Sequence, residues 1–137
     1  MFSLKKVEKN YKDWIKSPFD SKTINSVKKL RKNNLKNFQD SFYKDLSFGT
    51  GGMRGIMGEG PNRVNKYSFG KNTQGISNYI NDNQKNDKKS VVIAYDSRHN
   101  SKSLAEIVAN VFSANGIKVF LFSSLRPTPI LSYALTK

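Results

Sequence analysis

The 137-residue chain carries 24 Lys/Arg against 10 Asp/Glu, a formal net charge of +14, with 36% hydrophobic and 12% aromatic residues. At a mean hydropathy of −0.62 it is polar, yet too rich in apolar residues for a disordered chain, and its length suits one domain with a modest core. The lack of cysteine excludes a disulfide framework and a thiolate zinc site; no apolar run has bilayer-spanning length and the start MFSLKKVEKNYKDW lacks a signal-peptide core, so a soluble cytoplasmic protein is expected.

Residues 1–46 read as a helical N-terminal extension. Leu4, Val7, Tyr11 and Trp14 share one face at helical spacing, and Ser17-Pro18 interrupts the pattern, because a residue before proline is pushed out of the helical region. A second stripe follows at Ile24, Val27 and Leu30, and a third at Leu35, Phe38, Phe42 and Leu46. Nothing in this region suggests chemistry, and it reads as a packing extension. Its charge is +7, matched by +7 over residues 47–137. So even a spread, without a basic arm or stripe, favours a lysine-rich background over a polyanion-binding surface.

At Phe48 the character changes. Residues 48–61 (FGTGGMRGIMGEGP) are dense in glycine, which lets backbone approach a ligand or adopt positive φ. Phe69, Thr73, Ile76 and Ile80 then mark an amphipathic helix ending in a polar loop at Asn81–Asp87. Val91–Tyr95 is a continuous apolar run, as expected of a parallel strand buried on both faces. Ser103 and Glu106 fit a capping box, with Ser103 as N-cap, for a helix whose apolar face is Leu104, Ile107, Val108, Val111 and Phe112. Asn115-Gly116 stops that helix, and Lys118–Phe122 is a second strand. This is a βαβ unit with an expected right-handed crossover. A last helix is expected from Thr128-Pro129, with proline at its start.

In open α/β sheets, ligands bind at the carboxyl ends of the strands. Two loops emerge there, Asp96–Asn100 and Ser123–Pro127, each with an arginine; with Arg54 these make three of the five arginines loop residues. Arginine's planar fork suits phosphate. The glycine loop is neither a Walker A loop, since no Gly-Lys-Ser/Thr follows, nor a dinucleotide fingerprint, since Arg54 occupies the third glycine position. One histidine, His99, and no cysteine leave no transition-metal set. The residues themselves point to an anion-binding α/β domain.

Phe48–Gly55 resembles the opening loop of the α-D-phosphohexomutases (phosphoglucomutase/phosphomannomutase), usually Phe-Gly-Thr-x-Gly-x-Arg-Gly. Asn62–Asn65, Thr73–Gly75, Val92–Arg98 and Arg126–Pro129 follow in order and resemble the branch with bacterial phosphoglucomutase and phosphopentomutases; the leader, ending in Phe42–Leu46, is similar too. The resemblance implies domain I of that fold, a three-layer α/β/α sandwich over residues 47–137 on a mixed, mostly parallel sheet. It implies a sugar-phosphate mutase that interconverts glucose 1-phosphate and glucose 6-phosphate through a phosphoserine, a sugar 1,6-bisphosphate and Mg²⁺. By the same resemblance Thr50, Gly51, Gly52 and Arg54 lie beside the phosphoserine, with Arg54 on its phosphate, and Asp96, Arg98 and His99 form a second, weaker group. No serine here stands in the family's Thr-Ala-Ser-His-Asn-Pro context, not even Ser97, and the Asp-Gly-Asp metal loop is absent. Both are expected beyond Lys137, so this chain holds no catalytic residue and no metal ligand of its own and is expected to be inactive alone. An open sheet edge would then invite association. The rival readings are a small basic nucleic-acid-binding protein and a non-catalytic phosphate-binding remnant.

Overall fold

The computed structural model describes residues 3–49, 52–84 and 89–136. The chain forms two compact units, Met1–Ser68 and Phe69–Lys137.

The first unit opens with three helices, α1 (Leu4–Trp14), α2 (Ser21–Asn33) and α3 (Leu35–Phe42). Their stripes meet in a core of Val7, Trp14, Val27, Phe38 and Phe42, with Tyr11, Ile15, Phe19, Leu30, Tyr43 and Tyr67 packed around it. Trp14 stacks on Phe19 at 4.5 Å and meets Phe42 edge-on at 5.7 Å; Phe38 and Phe42 stack at 4.9 Å. Aromatic packing of this kind contributes beyond simple area burial. Leu4 and Leu35, although in register with their stripes, are 61% and 58% exposed, because each stands at the first residue of its helix. Leu46 is buried but lies beyond the end of α3.

Asp20 caps α2 by accepting the Thr23 N–H at 2.8 Å, and its other oxygen accepts from Lys66 Nζ at 2.7 Å and Tyr67 Oη at 2.6 Å. These donors, Lys66 foremost, hold its carboxyl well below the usual carboxylate range. Half-buried Glu59 is shifted the other way, upward, by desolvation first and then by the Asp20 charge. The signs oppose. Glu59 destabilises the fold when ionised, so acidification through its raised pKa relieves the unit; Asp20 contributes stability above the ordinary carboxyl range that is lost as pH falls through its depressed pKa. Stability of the first unit is therefore expected to peak on the mildly acidic side and to fall below about pH 4. Urea titrations at stepped pH check this, and Asp20→Ala should flatten the acid limb.

The second unit is built on a parallel pair, β3 (Ser90–Ile93) and β4 (Lys118–Leu121), in register from Ser90↔Lys118 to Ile93↔Leu121. The helix α5 (Ser101–Ala114) connects them, and α4 (Lys66–Asn83) precedes them. A short α6 (Thr128–Ala134) has its proline in the first turn, as expected. Ala105, Phe112 and Ile117 are the buried apolar residues here, with Tyr95 just past β3.

Three sequence expectations are corrected. Val91, Val92 and Ile93 are half-buried, not buried on both faces, because β3 has only β4 beside it among the described residues. Ser103 does not cap α5: the helix starts three residues earlier than that cap would place it, with Asn100 as N-cap, at φ 60, and the Ser103 hydroxyl donates to the Asn100 carbonyl. In α4, Ile76 of the expected stripe is 40% exposed; Thr73 of that stripe and Ser77, which is not in it, are buried. Their hydroxyls donate to Phe69 O (2.8 Å) and Thr73 O (2.9 Å), one turn back, which removes the cost of burying them.

Candidate functional site

The glycine-rich segment, expected as a loop, contains a paired hairpin. Phe48–Gly49 (β1) and Gly52–Met53 (β2) pair antiparallel, Phe48 with Met53 and Gly49 with Gly52. Thr50 and Gly51, two of the expected phosphate-contacting residues, lie outside the described residues. Gly52 has φ +95, a value that glycine alone adopts without strain. Arg54 follows β2 directly and is exposed. Among the described residues its guanidinium makes no hydrogen bond or ion pair, whereas Arg31, Arg63 and Arg98 each pair with an acid (Glu8, Asp40 and Asp96) and Arg126 donates to Ser124. A cation beside a glycine-rich strand pair, in solvent and free of such a partner among the described residues, is available to an anion.

The segment after Arg54 is anchored tightly. Val64 N–H donates to Ile56 O at 2.9 Å, and Gly58 N–H to Val64 O at 3.3 Å. Asn65 Nδ2 donates to the carbonyls of Gly58 (2.8 Å) and Gly60 (2.9 Å), while its Oδ1 accepts from the Tyr67 and Ser68 amides that open α4. One side chain thus closes the loop and caps the helix.

The same segment completes α3. The last carbonyls of a helix have no partner within it. Here Asn62 Nδ2 donates to Asp40 O at 2.8 Å, Asn62 N–H to Ser41 O at 3.0 Å, and Asn10 Nδ2 to Phe42 O at 2.6 Å. Leu46 N–H donates to Pro61 O at 2.8 Å. Arg63, 4% exposed, reaches Asp40 Oδ2 at 2.6 Å and Asn37 Oδ1 at 2.8 Å through Nη2, and Asn62 O at 3.1 Å through Nη1. A cation at this end of α3 also suits the helix dipole. Sequence reasoning singled out the Asn62–Asn65 motif without assigning it a role; the partners of Asn62 and Arg63 lie more than twenty residues back, where no local pattern points to them.

Asp96, Arg98 and His99 belong to the second unit. Asp96 Oδ1 accepts the Arg98 N–H at 3.0 Å and Oδ2 accepts Arg98 Nε at 2.7 Å. The Arg98 backbone N–H, then its side chain, lowers the Asp96 pKa. Arg98 is otherwise in solvent, its side chain 87% exposed. His99 is exposed and makes no hydrogen bond among the described residues. The two strand-end loops are joined by Tyr95, whose hydroxyl donates to Ser123 O at 3.1 Å and whose carbonyl accepts Arg126 N–H at 3.0 Å. Asp96, Arg98, Lys102, Glu106 and Leu125 line a shallow depression beside them.

Among the described residues no group of three or more His, Asp or Glu is disposed to hold a metal ion. No helix among them is long and apolar enough to cross a membrane.

The sequence model described as "Phosphoglucomutase/phosphomannomutase, alpha/beta/alpha domain I" matches residues 45–137. Over 97 residues, 71% of the chain, it is 42% identical to a phosphoglucomutase of Staphylococcus haemolyticus. Over segments of the same length it is 40% identical to phosphoglucomutases of Staphylococcus epidermidis and Staphylococcus aureus. The match spans 17% of the length of each of these relatives. No solved structure matches the chain.

Proposed function

The chain belongs to the phosphoglucomutase/phosphomannomutase family, and we propose that it is the phosphate-facing front part of a sugar-phosphate mutase acting on glucose 1-phosphate and glucose 6-phosphate. The observation that carries this reading is Arg54: an exposed guanidinium with no acid paired to it among the described residues, directly after a glycine hairpin and within the Phe48–Gly55 motif. Phosphoryl transfer depends mostly on positioning and on neutralising charge on the moving group. Arg54 supplies a forked cation for that charge. Gly52, at φ +95, brings a backbone amide without a side chain of its own to the same segment; Thr50 and Gly51, outside the described residues, are included on the motif alone. Within the second unit, Arg98, aligned by Asp96 and followed in the chain by His99, is a phosphate-binding candidate of its own.

The reacting serine is assigned to parts of a complete enzyme other than these residues, and the chain alone is expected to lack mutase activity. In such an enzyme Mg²⁺ would neutralise phosphoryl oxygens; among the described residues no three His, Asp or Glu side chains cluster.

The test is Arg54→Ala in a complete enzyme that contains this segment. Removing a charge-stabilising donor of this kind is expected to lower kcat by about 10²–10³-fold. Arg54→Lys should recover only part, because an ammonium cannot reproduce the fork. Full activity in Arg54→Ala would show that the hairpin serves the fold alone.

A further inference from the structure

In the second unit, Gln74 belongs to the Thr73–Gly75 motif, which the proposed function leaves without a task. Gln74 and Asn115 form a reciprocal amide pair: Gln74 Nε2 donates to Asn115 Oδ1 at 2.8 Å, and Asn115 Nδ2 donates to Gln74 Oε1 at 2.9 Å. Asn115 Nδ2 also donates to Val111 O at 2.8 Å, and Gln74 Nε2 to Asn78 Oδ1 at 2.8 Å. A backbone carbonyl can only accept, so Val111 fixes which end of the Asn115 amide carries nitrogen, and the pairing then fixes Gln74.

Asn115 precedes Gly116, the only Asn-Gly step in the chain. This dipeptide is chemically labile, because glycine offers no side chain to hinder attack by its own nitrogen on the preceding amide carbon. We infer that Asn115-Gly116 is a latent self-modification site, whose intramolecular deamidation is held off by the amide pair with Gln74. In the reaction the Gly116 nitrogen bonds to Asn115 Cγ, the Cγ–Nδ2 bond breaks, and Nδ2 leaves as ammonia with the proton lost from Gly116. Water then opens the succinimide ring to aspartate or isoaspartate.

The fold restrains each participant. Cγ is held by the bonds to Gln74 and Val111. The nucleophilic nitrogen donates to Ser113 O at 3.0 Å, and Asn115 O accepts Asn81 Nδ2 at 3.2 Å. Gly116 has φ +73 and ends α5, with Ile117 N–H bonded to Phe112 O at 3.1 Å and Ile117 buried behind it. Conversion would reverse these contacts. An aspartate there sets carboxylate oxygens against Val111 O and Gln74 Oε1, and places a negative charge at the carboxyl end of α5, where the helix dipole disfavours it. An isoaspartate lengthens the backbone in the turn that leads into β4.

The experiment follows deamidation of the peptide containing Asn115-Gly116 by mass spectrometry and isoaspartate assay in mildly alkaline buffer. Folded wild type, urea-unfolded wild type, Gln74→Leu and Gln74→Glu are compared. Folded wild type should convert severalfold more slowly than the unfolded chain, and Gln74→Leu should move severalfold toward the unfolded rate. Gln74→Glu, which keeps the acceptor for Nδ2 but loses the donor to Oδ1, should fall between them; circular dichroism identifies a variant that has unfolded, and Gln74→Glu then decides. Equal rates for folded and unfolded wild type, or wild-type rates in a folded Gln74 variant, would overturn the inference.

Discussion

Gly60→Ala is expected to unfold most of the first unit at ambient temperature. Gly60 has φ +116, and a Cβ built there would lie 2.6 Å from Ser41 O, 2.9 Å from Ser41 Cβ and 3.1 Å from Phe42 Cε2. None of these can give way cheaply. Ser41 O is held by the Asn62 N–H in the last turn of α3, and Phe42 is fully buried in the aromatic core. The backbone strain costs about 1–3 kcal/mol, and overpacking about 1–3 kcal/mol more. Together these approach the whole stability of a unit this small, about 3–5 kcal/mol. Trp14 is the only tryptophan and lies in that core, so its fluorescence in a thermal or urea melt reads the outcome directly. Gly52→Ala makes the control: φ is +95, but no atom of the described residues lies within 4 Å of the added carbon, so the strain is what remains. Equal melting of Gly60→Ala and wild type would show that α3 and the Gly60 turn are not packed as described.

Much of the fold was legible because helical periodicity survives in any sequence that must bury one face. Val7, Trp14, Val27, Phe38 and Phe42 could be placed from spacing alone, and all are buried. The βαβ order was legible too, since Asn115-Gly116 marks the end of α5 and two apolar runs flank it. Spacing failed where local chemistry competes with it. Ile76, in the stripe, is 40% exposed, while Ser77, which the stripe passes over, satisfies its own hydroxyl within α4 and so can be buried. Ser103 and Glu106 matched the capping pattern, yet a pattern carries no φ, and Asn100 in the left-handed region starts the helix instead. Arg54 stood out through its glycine neighbours. Arg63 did not, because an arginine becomes a core residue only through partners that the fold brings to it.

Arg63→Ala is the second large effect expected, and it tests whether the leader and the segment after Arg54 form one cooperative structure. The Arg63 side chain is 5% exposed and its acid partner Asp40 42% exposed. Breaking a fully buried pair costs about 3–5 kcal/mol; here Asp40 regains water, which lowers the cost, while Asn37 Oδ1 and Asn62 O lose their donor. A loss of about 2–4 kcal/mol follows. Arg63→Lys should recover less than half, since one ammonium cannot reach Asp40, Asn37 and the Asn62 carbonyl together. Arg63→Met separates packing from charge, because it keeps the stem and drops the guanidinium. In a double-mutant cycle with Asp40→Ala, the two losses should fall short of adding. The site of the readout matters most. Residues 45–137 carry the family match, whereas Asn37, Asp40 and the Ser41 carbonyl lie in the leader before it. If Trp14 on α1 reports the loss at Arg63 in a single transition, the leader helices and the Arg54-bearing segment unfold together, and the helical extension is part of what holds the hairpin in place. Two separate transitions, with Trp14 insensitive to Arg63, would instead make the leader an appendage.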